Sequence, residues 1–114
     1  MPHYHLSYDF DEKLNDDTFN NYDEAREYLL CVLTQFPSYV TMYEYCESTL
    51  IIEVSNTNKH TFFDYTKPRL EPYFYYFVSE ISTSTNGNLY INNNKNEKLN
   101  KSLQKELKDL DCSI

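Results

Sequence analysis

The sequence predicts one α+β domain, residues 1–114, built from a mainly antiparallel sheet of five to six strands with two helices on one face. Several segments alternate apolar and polar residues or are dense in β-branched and aromatic residues, as strands are. Two other segments repeat apolar residues with the helical period. No internal repeat or long linker divides the 114 residues, a length typical of a single domain. The expected element order is β-α-β-β-β-β-β-α.

The first strand and the first helix are predicted between residues 3 and 36. In residues 3–10, tyrosine, leucine and phenylalanine occupy every second position, which gives the strand one apolar side. Asn21 and Glu24 have the spacing of a capping box, and Pro37 ends the helix that they begin. This helix carries its apolar residues on one arc and its acidic residues, together with Cys31, on the other.

The middle of the chain is rich in strand-forming residues. Residues 39–46 and 50–55 predict a hairpin, and "HTFFDY" at 60–65 predicts a further strand. A turn is predicted between Pro68 and Pro72, and "YFYYFVSEIS" at 73–82 predicts a long strand with aromatic or apolar side chains on both faces. Such a strand is covered on both sides, or one of its faces binds something.

The last strand and the last helix are predicted from a turn signal and a leucine stripe. The Asn86-Gly87 pair predicts a tight turn into a strand at Leu89–Ile91. The final helix begins near Asn94 or Asn96. Its lysines lie opposite the leucines and are predicted to face solvent: Lys98, Lys101, Lys105 and Lys108.

Composition excludes several classes of function. With one glycine, the chain has no Gly-rich loop that could cradle a phosphate, and we expect no cofactor. No apolar run approaches the ~20 residues of a membrane span. The first ten residues lack the basic and apolar regions of a signal peptide, so we expect a cytoplasmic protein. Three cysteines without a C-x-x-C pair predict free thiols in a reducing compartment.

The negative charge is concentrated in the first half of the chain. Residues 1–57 carry eleven acidic side chains against Lys13 and Arg26, whereas residues 58–114 carry seven against eight bases. A net charge of −8 opposes direct binding of nucleic acid, because affinity for a phosphate backbone depends on cationic side chains. It favours a basic protein partner.

The densest part of this charge lies between residues 8 and 28, where acids alternate with aromatic side chains. Carboxylates steer a basic partner over a distance, and tyrosines are common anchors at protein interfaces. Solubility is the alternative explanation for such acidity. The candidate partner-binding residues are Asp9, Asp11, Glu12, Asp16, Asp17, Tyr22, Asp23, Glu24 and Glu27.

These features predict a non-catalytic acidic inhibitor of a basic, nucleic-acid-binding protein such as a nuclease. In size and charge the chain is similar to phage or mobile-element anti-defence proteins, including anti-CRISPR proteins and DNA mimics. An immunity protein that neutralises a toxin nuclease is the alternative within the same physical class. No serine, threonine or cysteine lies in a recognisable nucleophile motif, so we expect no enzyme activity.

Two further alternatives use other residues. The aromatic strand offers a small-ligand or homodimer face through Tyr73, Tyr75, Tyr76 and Phe77. His3 and His5 lie on one side of the first strand, where two imidazoles could share a metal ion, although many such pairs bind none. We therefore predict no metal and keep His3 and His5 as the alternative.

Overall fold

A computed structural model describes residues 2–10, 18–81 and 97–112. Four strands form one antiparallel sheet among these residues, in the order β2-β3-β1-β4. The predicted α+β class is confirmed. The elements in chain order are β1 (His3–Phe10), α1 (Tyr22–Thr34), β2 (Tyr39–Cys46), β3 (Thr49–Val54), α2 (Lys59–Leu70), β4 (Phe74–Ile81) and α3 (Glu97–Lys108).

The alternation predicted for the first strand gives the sheet its two faces. Leu6 on β1 lies opposite Leu50 on β3 and Val78 on β4, so the three side chains point to the same face. Tyr4 and Tyr8 share that face and are buried. All three helices pack there, and the other face of the sheet is called the open face below.

Each of the first two helices begins at an asparagine cap. Asn21 Oδ1 accepts the Glu24 N–H at 2.9 Å, and Asn58 Oδ1 accepts the Thr61 N–H at 3.0 Å. The helices bury their apolar sides against β1 and its neighbours. The fully buried large side chains of this core are Tyr4, Leu6, Leu29, Leu30, Leu33, Met42, Leu50, Ile52, Val54, Phe62, Leu70 and Leu103.

Helix α3 covers the outer edge of β2. The Gln104 side chain donates to the Met42 carbonyl at 2.9 Å, and the Glu44 N–H donates to Asn100 Oδ1 at 3.2 Å. Backbone groups at a sheet edge need partners when they are withdrawn from water. The two amide side chains provide those partners, and Leu103 between them is fully buried.

The strand predicted at residues 60–65 is wrong, because these residues belong to helix α2. Their threonine, phenylalanine and tyrosine content favours a strand locally. Phe62, Thr66 and Leu70, however, are buried at a spacing of four residues, as on one face of a helix. The Phe62 ring stacks on Tyr4 with 4.3 Å between centroids, so tertiary packing decides the conformation.

The predicted numbers of strands and helices also need correction. The described residues contain four strands and three helices, instead of five to six strands and two helices. The observed order among them is β-α-β-β-α-β-α. The strand predicted at Leu89–Ile91 and the helix starts predicted at Asn94 or Asn96 lie outside the described residues, and α3 is described from Glu97.

The prediction of free thiols is wrong for two of the three cysteines. Cys31 on α1 forms a disulfide with Cys112, and their Cα atoms are 5.5 Å apart, a distance typical of disulfides. Cys31 is buried although it lies on the acidic arc of α1. Cys46 is free and exposed. Stable disulfides are typical of oxidising compartments, so the cysteines no longer support the cytoplasmic prediction.

Candidate partner-binding site

The exposed side of α1 carries three carboxylates, Asp23, Glu24 and Glu27, which we call the acidic ridge. All three are exposed, and Tyr22 beside them has 42% of its surface in solvent. Asp23 and Glu24 lie in the first helical turn, where the positive end of the helix dipole stabilises negative charge. The structure thus brings together four of the predicted partner-binding residues.

Glu24 also has a structural function. Its carboxylate accepts the Asn20 backbone N–H at 2.8 Å and the Asn20 side-chain amide at 3.2 Å. These contacts complete the capping box at the start of α1. The described residues give neither Asp23 nor Glu27 an ion-pair partner. Asp23 and Glu27 are therefore the ridge carboxylates most available to another molecule.

Arg26, the basic residue of α1, points inward instead of neutralising the ridge. Its Nε and Nη2 donate to Glu106, and Nη1 and Nη2 donate to Glu44 at 3.2 and 3.0 Å. Nη1 also donates to the Tyr8 hydroxyl. A guanidinium has five N–H donors, and these contacts occupy all of them.

At neutral pH, Arg26 stays charged and Tyr8 stays protonated. Burial opposes the charged guanidinium, but hydrogen bonds from Arg26 to Glu106 and Glu44 raise its pKa above the ordinary value. Burial, followed by the hydrogen bond to Tyr22, raises the pKa of Tyr8. One cation thus faces two carboxylates, so the cluster adds no positive charge to the surface.

A cavity of about 490 Å³ lies on the Arg26 side of the ridge. Arg26 has no N–H left for a ligand there, because all five are used inside the cluster. The exposed Glu47 has no ion-pair partner among the described residues. The cavity wall therefore presents mostly acceptors. It includes Tyr22, Arg26, Glu44, Glu47, Leu99 and Glu106.

A second cavity of about 350 Å³ lies on the other side of the ridge. Its wall includes Phe19, Glu24, Glu27, Tyr28 and Cys31. Phe19 and Tyr28 pack together at 5.3 Å between ring centroids, which gives this wall a rigid aromatic part. The ridge therefore separates two concave surfaces, each with carboxylates and an aromatic side chain.

The remaining predicted acids do not join this site within the described residues. Asp9 is exposed on the open face, where it lies opposite Tyr75 of β4. Its side chain therefore points away from the helices. The other predicted acids, Asp11, Glu12, Asp16 and Asp17, lie outside the described residues.

The aromatic residues predicted as an alternative site are divided between two faces. Tyr75 and Phe77 lie on the open face and are 52% and 61% exposed. Tyr76 lies opposite Tyr8 on the helix-covered face, and its hydroxyl donates to Glu71 at 3.4 Å. The Tyr73 ring centroid lies 5.2 Å from that of Phe19, which lines the second cavity.

The two histidines of β1 also lie on the open face. His3 Nε2 is 4.0 Å from a Glu53 carboxylate oxygen, and His5 Nε2 is 3.0 Å from Ser7 Oγ. A search of the described residues finds no group of three or more side chains placed to hold a metal ion. None of the described helices is long and apolar enough to cross a bilayer.

Sequence reasoning missed the Arg26 cluster, although two signals of it were present. On a helical wheel, Arg26 lies next to Leu33 at the border of the buried arc of α1. Glu44 lies two residues from Met42, which places both on the buried side of β2. A buried arginine needs carboxylate partners, and Glu44 is the acid that this alternation places inside.

The chain matches no known family model, and neither curated proteins nor solved structures give a match. The fold and the site therefore define the class of protein: a small α+β protein with an acidic helical surface between two cavities. Its biochemical function has to be inferred from that surface.

Proposed function

We propose that this protein is a non-catalytic inhibitor that binds a basic, nucleic-acid-binding protein through the acidic ridge and its two flanking cavities. The neutralised Arg26 is the observation that carries the proposal. All five of its N–H groups are used by Glu44, Glu106 and Tyr8, so the one base of α1 leaves the ridge negative.

The ridge also combines charge with shape. Negative potential raises the rate of encounter with a basic surface, and aromatic side chains anchor the contact that follows. Tyr22 on one side and Phe19 with Tyr28 on the other provide such anchors beside Asp23 and Glu27. The partner proposed from this chemistry presents lysine or arginine side chains in a groove that receives the ridge, or on flexible segments that enter the cavities.

A nuclease or another enzyme with a cationic nucleic-acid groove has that chemistry. We propose a phage or mobile-element anti-defence protein of the anti-CRISPR or DNA-mimic type, acting in the host cytoplasm. An immunity protein that neutralises a toxin nuclease is the alternative, and it would use the same surface. Identification of the captured enzyme separates the two: a defence nuclease supports the first and a secreted toxin the second.

Charge reversal at two positions tests the proposal. The tagged protein captures its partner from a lysate of its native host at low salt, and mass spectrometry identifies that partner. Asp23→Lys with Glu27→Lys should then lower the association rate with the purified partner by roughly tenfold or more. Glu24 is left unchanged because it caps α1 through Asn20.

The control makes the same charge change away from the ridge. Asp64 and Glu97 are exposed on α2 and α3, and Asp64→Lys with Glu97→Lys alters the net charge equally. Glu97 also lies in the first turn of its helix, as Asp23 does. Both double variants therefore lose one carboxylate that is stabilised by a helix dipole. Equal slowing by both double variants would reject the ridge as the binding site.

A second candidate function is favoured by the open face. Phe77 is 61% and Tyr75 52% exposed on neighbouring positions of that face. An exposed aromatic pair is typical of a surface that binds an apolar ligand or a second copy. Under this proposal, Phe77→Ser with Tyr75→Ser abolishes dimerisation or ligand binding and leaves capture through the ridge unchanged.

A further inference from the structure

The disulfide fixes a short segment of chain against the acidic ridge. Cys31 lies one helical turn after Glu27 and contributes to the wall of the second cavity. Its partner Cys112 follows the end of α3, 81 residues later in the sequence. The Asp111 carbonyl oxygen lies 3.8 Å from Cys31 Sγ. Residues 109–112, which we call the strap, therefore run from the end of α3 to Cys31 on α1.

Helix α3 is held to the sheet by contacts that do not involve this bond. Leu103 is fully buried, Gln104 donates to the Met42 carbonyl, and Glu106 pairs with Arg26 at 2.9 Å. In the strap, the Asp109 and Leu110 N–H groups donate to carbonyl groups of α3, and Leu110 is partly buried against the core. The disulfide links the remaining part of the strap, Asp111 and Cys112, covalently to α1.

The strap brings further negative charge to the ridge. Asp109 and Asp111 are its two carboxylates. The 5.5 Å between the Cα atoms of Cys31 and Cys112 places the Asp111 Cα within about 15 Å of the Glu27 Cα, given one helical turn and one peptide unit. At low ionic strength the Debye length exceeds this distance, so the charge of Asp111 adds to the negative potential at the ridge.

We propose that the strap is a redox-sensitive part of the partner-binding surface. With the disulfide closed, Asp111 is held within about 15 Å of Glu27, next to the part of the cavity wall that Cys31 contributes. With the disulfide open, Asp111 and Cys112 leave α1 and the basic partner binds more weakly. The binding consequence rests on the proposed function, whereas the detachment of the strap does not.

The opening step is thiol–disulfide exchange with a low-molecular-weight thiol such as glutathione. The thiolate attacks one sulfur, forms a mixed disulfide and expels the other cysteine as a thiolate, which takes up a proton. A second thiol resolves the mixed disulfide. The products are two protein thiols and one oxidised thiol dimer, so two electrons and two protons have moved to the protein. The cytosolic thiol pool of the proposed host would thus favour the open, weaker-binding form, and an oxidising compartment would keep the strap closed.

Amide NMR and hydrogen exchange test the strap without any partner. Reduction of the wild-type protein with dithiothreitol should shift the signals of Cys31, Asp111 and Cys112 and raise the mobility of Asp111 and Cys112 in amide relaxation. The amides of Leu6 and Ile52 in the sheet should remain protected. Cys112→Ser should reproduce the reduced state, and Cys46→Ser, which changes the exposed free cysteine, should not. Loss of protection throughout the sheet, or no change in the strap, would overturn the proposal.

A fluorescent oligo-arginine peptide tests the consequence for binding. At low salt, reduction or Cys112→Ser should weaken binding by roughly threefold to tenfold, as expected for the displacement of exposed carboxylates. Asp109→Asn with Asp111→Asn in the oxidised protein should weaken it similarly. If both redox forms bind the peptide with equal affinity while Asp23→Lys/Glu27→Lys does not bind it, the strap does not contribute to binding. The proposed function would then still stand. Absence of peptide binding to either redox form would contradict the proposed function and the effect of reduction on binding. The NMR experiment would still show whether reduction releases the strap.

Discussion

Arg26 Nη2 lies 3.0 Å from Glu44 Oε1, and this contact joins the first helix to the edge strand β2 inside the protein. Glu44 is only 4% exposed. A buried carboxylate requires a charged partner, because its transfer from water is otherwise very costly. The pair therefore stabilises the α1–β2 contact and at the same time removes positive charge from the ridge.

Removal of the arginine should be strongly destabilising. Arg26→Met leaves Glu44 buried without its ion-pair partner, and the free energy of unfolding should fall by about 3–5 kcal/mol. Urea denaturation measures this loss. Lys101→Met is the control, because the Lys101 side chain is 74% exposed and its ion pair with Glu97 lies on the surface; its effect should stay below about 0.5 kcal/mol. An Arg26→Met loss as small as that of the control would contradict the burial of the pair.

The same variant allows a test by rescue. Replacement of both partners, Arg26→Met with Glu44→Leu, removes the uncompensated charge and should recover part of the lost stability. Glu106 has 37% of its side chain in solvent, so its charge can be hydrated once Arg26 is gone. A double variant no more stable than Arg26→Met alone would show that Glu44 is hydrated in the single variant.

The covered edge of β2 is a second site where stability can be measured. Asn100→Ala removes the acceptor of the Glu44 N–H, and Gln104→Ala removes the donor to the Met42 carbonyl. Each change should lower the free energy of unfolding by about 1–3 kcal/mol, because a withdrawn backbone group loses its partner. Faster hydrogen exchange at the Glu44 amide should accompany Asn100→Ala. Ser102→Ala, at an exposed position between them, is the control.

Much of the fold could be predicted where local signals and tertiary packing agree. The alternation of 3–10 and the asparagine cap of α1 gave strand and helix bounds close to those observed. The strand prediction for residues 60–65 was wrong because their composition favours a strand. Phe62, Thr66 and Leu70 are buried four residues apart, and this spacing favours a helix. Pro68 lies in the last turn of that helix, and we interpreted it as part of a turn.

The site was predictable in its charge but not in its geometry. The exposure of Asp23 and Glu27 follows from the helical period of α1. Side chains alternate between the two faces of a strand, so the place of Asp9 in β1 puts it on the open face. The predicted partner-binding set included Asp9 because it is close in sequence to the other acids, and this grouping ignored the alternation. The disulfide between Cys31 and Cys112 joins residues that are distant in sequence, and cysteine pairing of that kind cannot be deduced from spacing.

Alkaline pH should unfold the protein through its buried tyrosines. Burial, then the charge of Glu80 and a hydrogen bond to it, raise the pKa of Tyr4 from 10.0 to about 12. Below pH 10 the phenol is protonated in both states, so this contribution to stability is complete. Between pH 10 and 12 the unfolded state releases the proton while the folded state retains it, so stability falls as pH rises.

Tyrosinate absorbance and circular dichroism, followed together with rising pH, measure this transition. Tyr4→Phe keeps the stacking on Phe62 and should reduce the pH dependence over that interval. Tyr75→Phe, which removes a phenol that is 52% exposed, is the control. Identical pH profiles for wild type and Tyr4→Phe would contradict the raised pKa of Tyr4.

Salt dependence should separate the two candidate functions. Capture through Asp23 and Glu27 is driven by exposed charges, so affinity for the purified partner should fall sharply between low and physiological ionic strength. Binding through Phe77 and Tyr75 on the open face would bury apolar surface and should respond little to salt. Titration calorimetry of wild type and Phe77→Ser at several salt concentrations measures both the salt dependence of the affinity and the contribution of Phe77 to it. A salt-independent affinity that disappears in Phe77→Ser would assign the binding surface to the open face and reject the ridge.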